Sequence, residues 1–305
     1  MKAAITTRYG SPDVIQIQEV TKPTINDNEI LIKVKASSMN SGDVRIRALN
    51  GGGVPPFVMR LIFGWKRPKS GIQGLMFSGI IEAVGSKVER HKVGDEVYGS
   101  TGMRMGAHAE YVKVKSGGVL VKKPQNASFE EAAAIVFGGM SAIYFLEKAG
   151  IATFKNAEVM IYGATGSVGV AAVQIAKHYG ARVTAVCSEK GRALVKSLGV
   201  DEIVIYTNQE YSQLGSRFDI VFDAVGKTKK KETKKILKPT GKYSTVGGMD
   251  VAKETNGQVD FLRKLFEAGE LKANIDKTYP LEQIADAHRY VDSERKKGNV
   301  IIKMT

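Results

Sequence analysis

Five residues suited to a buried strand, Glu158-Val159-Met160-Ile161-Tyr162, run straight into Gly163-Ala164-Thr165-Gly166-Ser167-Val168-Gly169 and then into a helical pattern from about Val168 to Tyr179. Glycines at this spacing allow a tight turn and let a pyrophosphate approach the backbone, while the amides at the helix N-terminus face the phosphates. Glycines at strand-helix turns are common. With a strand before, a helix after and a βαβ unit around it, the stretch reads as a dinucleotide-binding turn, and Ala164, Thr165, Gly166, Ser167, Val168 and Gly169 are the expected contacts.

Downstream the alternation continues. Arg182-Val183-Thr184-Ala185-Val186, Glu202-Ile203-Val204-Ile205, Phe218-Asp219-Ile220-Val221-Phe222 and Gly241-Lys242-Tyr243-Ser244-Thr245-Val246 read as strands, with a helix over Gly191 to Leu198 and a basic helix before the last strand. This spacing predicts right-handed crossovers and a parallel sheet covered on both faces. The unit opens near Ser128-Phe129-Glu130-Glu131, a capping-box signature ahead of an Ala-rich helix.

Upstream, Glu29 to Ala36 and Gly79 to Gly85 read as strands, so the first third is expected to be mostly β. Between them, the Gly- and Pro-rich Asn50 to Pro56 and the apolar, basic stretch Phe57 to Lys69 are expected to form one long loop. Loops of that length in compact domains are usually functional. The tail from Phe261 adds two helical patterns and a last strand, Asn299-Val300-Ile301-Ile302.

Length and composition bound the reading. The 305 residues suit about two domains, and 43% hydrophobic with 25% charged residues predicts a sizeable core and excludes collagen-like, mucin-like and acidic-tail classes. Cys187 is the only cysteine, so neither an intrachain disulfide nor a multi-thiolate metal site can form, which fits a reducing, cytoplasmic setting. Met1-Lys2-Ala3-Ala4-Ile5-Thr6 enters alternating sequence without an apolar signal segment, and neither export nor membrane attachment is expected. The net charge of +14, from 45 Lys and Arg against 31 Asp and Glu, attracts polyanions nonspecifically. Its densest run, Lys227 to Lys235, carries no aromatics and reads as a solvated helix face.

The end of the second strand of the parallel sheet separates the two nicotinamide cofactors. A carboxylate there binds the ribose 2′-hydroxyl of NAD, whereas a 2′-phosphate needs hydroxyls and cations. Here the strand ends Val186-Cys187-Ser188, followed by Glu189, Lys190 and Arg192. Ser188 and Lys190 could hold a phosphate while Glu189 points to water, so NADPH is expected over NADH. The competing reading makes Lys190 and Arg192 ordinary helix-start cations.

Taken together, Val34 to Asp43, Val93-Gly94-Asp95-Glu96-Val97-Tyr98-Gly99, Gly106-Ala107-His108-Ala109-Glu110-Tyr111 and Gly163 to Gly169 resemble the medium-chain dehydrogenase/reductase superfamily, specifically its zinc-free quinone oxidoreductase-like branch. The resemblance implies an α/β fold in which a Rossmann dinucleotide-binding domain, 124–256, is inserted in a partly β GroES-like catalytic domain, 1–123 and 257–305. It implies Asn40 beside the nicotinamide as the catalytic residue, Ser141 near the pyrophosphate, and Ser188, Lys190 and Tyr206 at the 2′-phosphate. Ala224, Val225, Val246 and Gly247 would line the nicotinamide ribose, and Asn299 would close the cleft. Read by their residue types alone, Asn40 could instead cap a helix, Ser141 start one, and Tyr206 end a strand.

Zinc-dependent members of the superfamily carry a Cys where this sequence has Asn40, and a Gly-His-Glu where it has Gly74-Leu75-Met76. Leu and Met do not replace such donors, and His91, His108, His178 and His288 lack ligand spacing, so no metal is expected. Without a Lewis acid, the substrates implied are quinones or α,β-unsaturated carbonyls, which accept hydride by conjugate addition. The alternative is a cofactor-sensing or RNA-binding protein with the same fold and little turnover, motivated by the charge. Finally, relatives carry a further helix and strand where this chain has only Met249 to Asp260. A five-stranded cofactor sheet is therefore expected, in a monomer or an atypical dimer.

Overall fold

The computed structural model of the protein describes residues 1–51, 54–248 and 250–304; Gly52, Gly53 and Met249 of the segments named above lie outside the described residues. The chain forms two compact units, one of Met1–Val136, Glu254–Glu267 and Ile275–Thr305, the other of Phe137–Lys253 and Ala268–Asn274.

In the first unit, a seven-stranded sheet runs in the order Ile275–Pro280, Asn299–Lys303, Glu29–Met39, Met76–Val84, Glu96–Ser100, Val119–Lys122, with Tyr111–Lys115 also paired to Glu29–Met39. The long strand Glu29–Met39 organises it. Register shifts at Leu31/Ile32 and Val34/Ala36 bend that strand, which lets one element pair with Tyr111–Lys115 at one end and Asn299–Lys303 at the other. Ile30, Ile32, Val34, Phe77, Ile81, Val97, Val112, Val300 and Ile302 make the core, closed by Ile284, Ala287 and Val291 of the helix Ile284–Asp292.

In the second unit, five parallel strands run in the order Glu202–Ile205, Arg182–Cys187, Glu158–Tyr162, Phe218–Asp223, Leu237–Thr245. Chain order reverses between Glu158–Tyr162 and Phe218–Asp223, where an open parallel sheet leaves a crevice at the carboxyl ends of its strands. The expected five strands are present. Asp250 to Thr255 contain no strand, and a helix, Asn256–Glu267, begins directly after them.

Ser128 and Glu131 form the expected capping box, Ser128 N donating to Glu131 Oε2 at 2.9 Å and Glu131 N to Ser128 Oγ at 3.2 Å, at the head of the 20-residue helix Phe129–Lys148. That helix is long and apolar enough to cross a membrane, but 67% of its apolar window is buried inside the protein, as in a core helix.

Two expectations need correction. The stretch Phe57 to Lys69 is not all loop: Pro56–Phe63 is a helix, with proline in its first turn and Gly64 ending it at φ 123°. Prolines read as breakers are here helix starters, since a residue at the first position has no intrahelical amide partner to lose. The helix matched to Phe261 begins earlier, at Asn256, because Thr255 and Gln258 form a reciprocal cap (Thr255 N to Gln258 Oε1 3.0 Å, Gln258 N to Thr255 Oγ1 3.2 Å).

Candidate active site

The turn after Glu158–Tyr162 uses its three glycines differently. Gly163 has φ +76°, and a Cβ there would lie 2.6 Å from Val225 Cγ1, so both conformation and crowding demand glycine. A Cβ on Gly169 would lie 2.2 Å from Gly163 O, so this glycine seats the helix Ser167–His178 on the turn. Gly166 is held by neither constraint. Its φ of −78° and ψ of 171° suit any residue, and the nearest protein atom to a Cβ would be Gly163 O at 3.8 Å. The protein leaves open the space such a methyl would fill, at a helix N-terminus that no side chain caps, which fits a diphosphate.

Neighbouring loops converge on this turn. Buried Asp223, at the end of its strand, accepts from Val225 N (3.1 Å), Gly226 N (2.8 Å), Thr228 N (2.7 Å) and Thr228 Oγ1 (2.8 Å), which shapes the loop carrying Ala224 and Val225. Gly226 then passes so close to Gly247 that a Cβ on the latter would lie 2.5 Å from the Gly226 Cα, bringing Val246 and Gly247 beside that loop. A Cβ on Gly138 would lie 2.2 Å from Ser167 O, so the helix Phe129–Lys148 presses against the head of Ser167–His178, and Ser141 sits one turn further along it. Ser141 thus lies mid-helix rather than at a helix start.

At the end of Arg182–Cys187 the charges sort themselves. Glu189 is gripped by Arg192, Nε to Oε1 at 2.6 Å and Nη2 to Oε2 at 2.9 Å, which holds its carboxyl below the usual range. Lys190 is exposed and makes no ion pair among the described residues. Ser188 sits at the strand end beside it, and Tyr206, 47% exposed, is tied there through its amide to Cys187 O at 3.1 Å. A Cβ on Gly191 would lie 2.5 Å from the Thr165 methyl, so this corner adjoins the glycine turn. Cys187 is buried, which pushes its thiol up and away from reactivity.

The first unit carries Asn40 and Asn299. The register Val300 opposite Met39 puts Asn40 and Asn299 at the same end of their strand pair. Asn40 does cap a helix: Oδ1 accepts from Gly42 N (2.8 Å) and Asp43 N (3.3 Å), and Asp43 Oδ2 accepts from Asn40 N (3.0 Å). Its Nδ2, however, is buried without a hydrogen-bond partner, as are both amide atoms of Gln73. Asp43 also accepts from Gly74 N at 3.2 Å and lies 3.8 Å from His108 Nε2, while His108 Nδ1 meets Ser37 Oγ at 2.9 Å. Behind this cluster Arg47, 2% exposed, bonds Gly10 O, His288 Nδ1 (3.3 Å) and Asp292 Oδ2 (2.6 Å). Burial, with His108 and the Arg47 guanidinium nearby, holds the pKa of the His288 imidazole well below the usual value.

Sequence reasoning missed Gly138, Asp43, Asp223 and the buried roles of His108 and His288. Gly138-Gly139 inside an Ala-rich helix was a usable signal, since glycine there costs about 1 kcal/mol unless packing demands it. The histidines gave none, because their partners come from distant segments.

Residues 26–125 match the family described as alcohol dehydrogenase GroES-like domain, and 198–302 that described as zinc-binding dehydrogenase. A 2-methylene-furan-3-one reductase of Solanum lycopersicum is 33% identical over 99% of this chain and 79% of its own length. The chain belongs to the medium-chain dehydrogenase/reductase superfamily. Within that superfamily it is also similar to an NADPH-dependent alkenal/one oxidoreductase of Arabidopsis thaliana, 29% identical over 99% of this chain and 79% of that protein. The solved quinone oxidoreductase of Coxiella burnetii shares its fold, with a TM-score of 0.85 at 24% identity over 100% of this chain and 99% of the other. The likeness in sequence to these reductases, and to a quinone oxidoreductase of Sus scrofa at 28% identity over 99% of this chain and 97% of that protein, makes the protein an oxidoreductase of the quinone oxidoreductase-like branch.

Proposed function

We propose that the protein is an NADPH-dependent reductase of quinones or α,β-unsaturated carbonyls that works without zinc. The observation that carries this reading is the match, over nearly the whole chain, to relatives named as enone and alkenal reductases. The cofactor corner supports it: with Glu189 neutralised by Arg192, Ser188 and Lys190 are left to bind a 2′-phosphate, and Tyr206 to cover the adenine. The domain division 1–123 with 257–305 around 124–256, and a reducing, cytoplasmic setting, belong to the same reading.

Zinc does not fit the residues present. Asn40 Oδ1 is spent on two helix amides, and Leu75 and Met76 offer no hard or borderline donor. When bound, the nicotinamide supplies a hydride to the electron-poor carbon of the conjugated system. The chain's own part is placement. The turn Ala164 to Gly169 and the head of Ser167–His178 hold the diphosphate, aided by Ser141; Ala224, Val225, Val246 and Gly247 border the ribose; and Asn40 Nδ2, held in place by its capped Oδ1, is a donor suited to orient an amide or carbonyl oxygen, with Asn299 beside it. A panel of quinones, enals and saturated ketones assayed with NADPH and NADH tests this. Turnover confined to conjugated acceptors, preferring NADPH and indifferent to chelators, is expected; reduction only of saturated ketones, or activity lost with zinc, would overturn it.

A further inference from the structure

The helix Pro56–Phe63 is built inside out. In an ordinary surface helix the apolar stripe faces the core and charges face water. Here Met59 is the buried anchor, at 4% exposure, while Phe57, Val58, Leu61 and Ile62 stand in solvent, with Phe57 and Leu61 each 58% exposed. Spaced i, i+1, i+4 and i+5, these four side chains lie on one helix face. Gly64 turns the chain back so that Trp65, 57% exposed, meets Phe57 edge to face at 5.9 Å and extends the patch. Scattered exposed hydrophobics are normal, but a contiguous patch of this kind marks an interaction surface.

The charge that flanks the patch along the chain has one sign. Lys66, Arg67 and Lys69 follow Trp65, all exposed and none in an ion pair among the described residues. From Val44 through Ile81 the sequence contains no Asp or Glu.

We propose that this face docks on the surface of an anionic lipid bilayer. The helix lies along the interface with Phe57, Leu61 and Ile62 in the acyl boundary, Trp65 at headgroup depth, and Lys66, Arg67 and Lys69 against lipid phosphates. Aromatic and aliphatic side chains on one helix face, with cations at its rim, are the make-up of an interfacial helix. Charge complementarity selects this occupant over a second copy of the chain: two copies meeting here would set the three cations against their equals, each on a body of net charge +14. Such peripheral contact departs from the expectation of no membrane attachment, which rested on signal and spanning segments alone, and it is independent of the proposed reaction because it is read by binding and not by turnover.

Trp65 is the only tryptophan, so fluorescence excited beyond the tyrosine band reports this patch alone. The full chain is mixed with phosphatidylcholine vesicles, with and without phosphatidylglycerol. Expected are sedimentation with the anionic vesicles only, weakened by salt, and a blue-shifted Trp65 emission quenched by brominated acyl chains. At about five-fold in affinity per cation near an anionic surface, the triple variant K66Q/R67Q/K69Q should bind roughly a hundred-fold more weakly. F57S/L61S, which removes exposed groups and leaves Met59 in place, should abolish the blue shift. The variant K230Q/K231Q/K234Q, in the lysine-rich helix Lys230–Ile236, should bind as the parent does. No vesicle binding at low salt overturns the proposal. So does binding with Trp65 still exposed to aqueous quencher, and so does a Trp65 blue shift that tracks protein concentration without lipid, which would assign the patch to self-association.

Discussion

Replacing Gly166 by alanine separates what the fold needs from what the cofactor needs. The backbone there, φ −78° and ψ 171°, is open to any residue, and the new methyl would find no protein atom nearer than 3.8 Å. Removing glycine's freedom in the unfolded chain then stabilises the native state by about 0.4 to 1 kcal/mol, or roughly 1 to 4 °C in melting temperature. On the proposed reading, the same methyl occupies the space through which a diphosphate reaches the helix amides. Losing one charge-assisted hydrogen bond costs about 1.5 to 3 kcal/mol, so the dissociation constant for NADPH should rise about 10- to 100-fold. Calorimetric titration with NADPH, paired with thermal unfolding of the apo protein, reads both quantities on one sample. Gly169→Ala supplies the contrast, because its Cβ would sit 2.2 Å from Gly163 O and force the backbone apart, lowering stability and binding together. A Gly166→Ala protein that melts higher yet binds NADPH as tightly as the parent would refute the assignment of this turn to the diphosphate.

Lys190→Ala should erode the preference for NADPH over NADH by about 1.5 to 3 kcal/mol, measured as the ratio of the two affinities, with NADH binding unchanged. Arg47→Ala takes a donor from Asp292 and Gly10 O and empties the space its 2%-exposed side chain fills, and should cost about 2 to 5 kcal/mol in urea unfolding. Burial pushes Lys296 from 10.5 down to about 8 against the pull of Asp276, so between those values the unfolded chain binds more protons than the native one and stability rises with pH. Lys296→Met should therefore flatten that rise, visible in unfolding curves taken from pH 7 to pH 10.5.

The sequence by itself determined the cofactor unit. Its strands are short apolar runs and its turns carry their glycines in sequence, so Gly163 to Gly169, the capping box at Ser128 and the shortened segment after Gly248 could each be read locally. Local reading went wrong at Pro55-Pro56, where the same residue type both breaks and begins helices, and position within the element decides which. What only the tertiary structure decided is who meets whom. The pairing of Glu189 with Arg192 and the Asn40 cap are made within one turn, but Arg47 joined to His288 across 241 residues and His108 joined to Ser37 across 71 depend on distant segments arriving at one place. So does the inverted helix Pro56–Phe63, since a helical stripe of apolar residues looks the same in sequence whether it faces the core or the water. Periodicity is a property of one segment. The side that is buried depends on what packs against it, and that is decided only when the rest of the chain has folded.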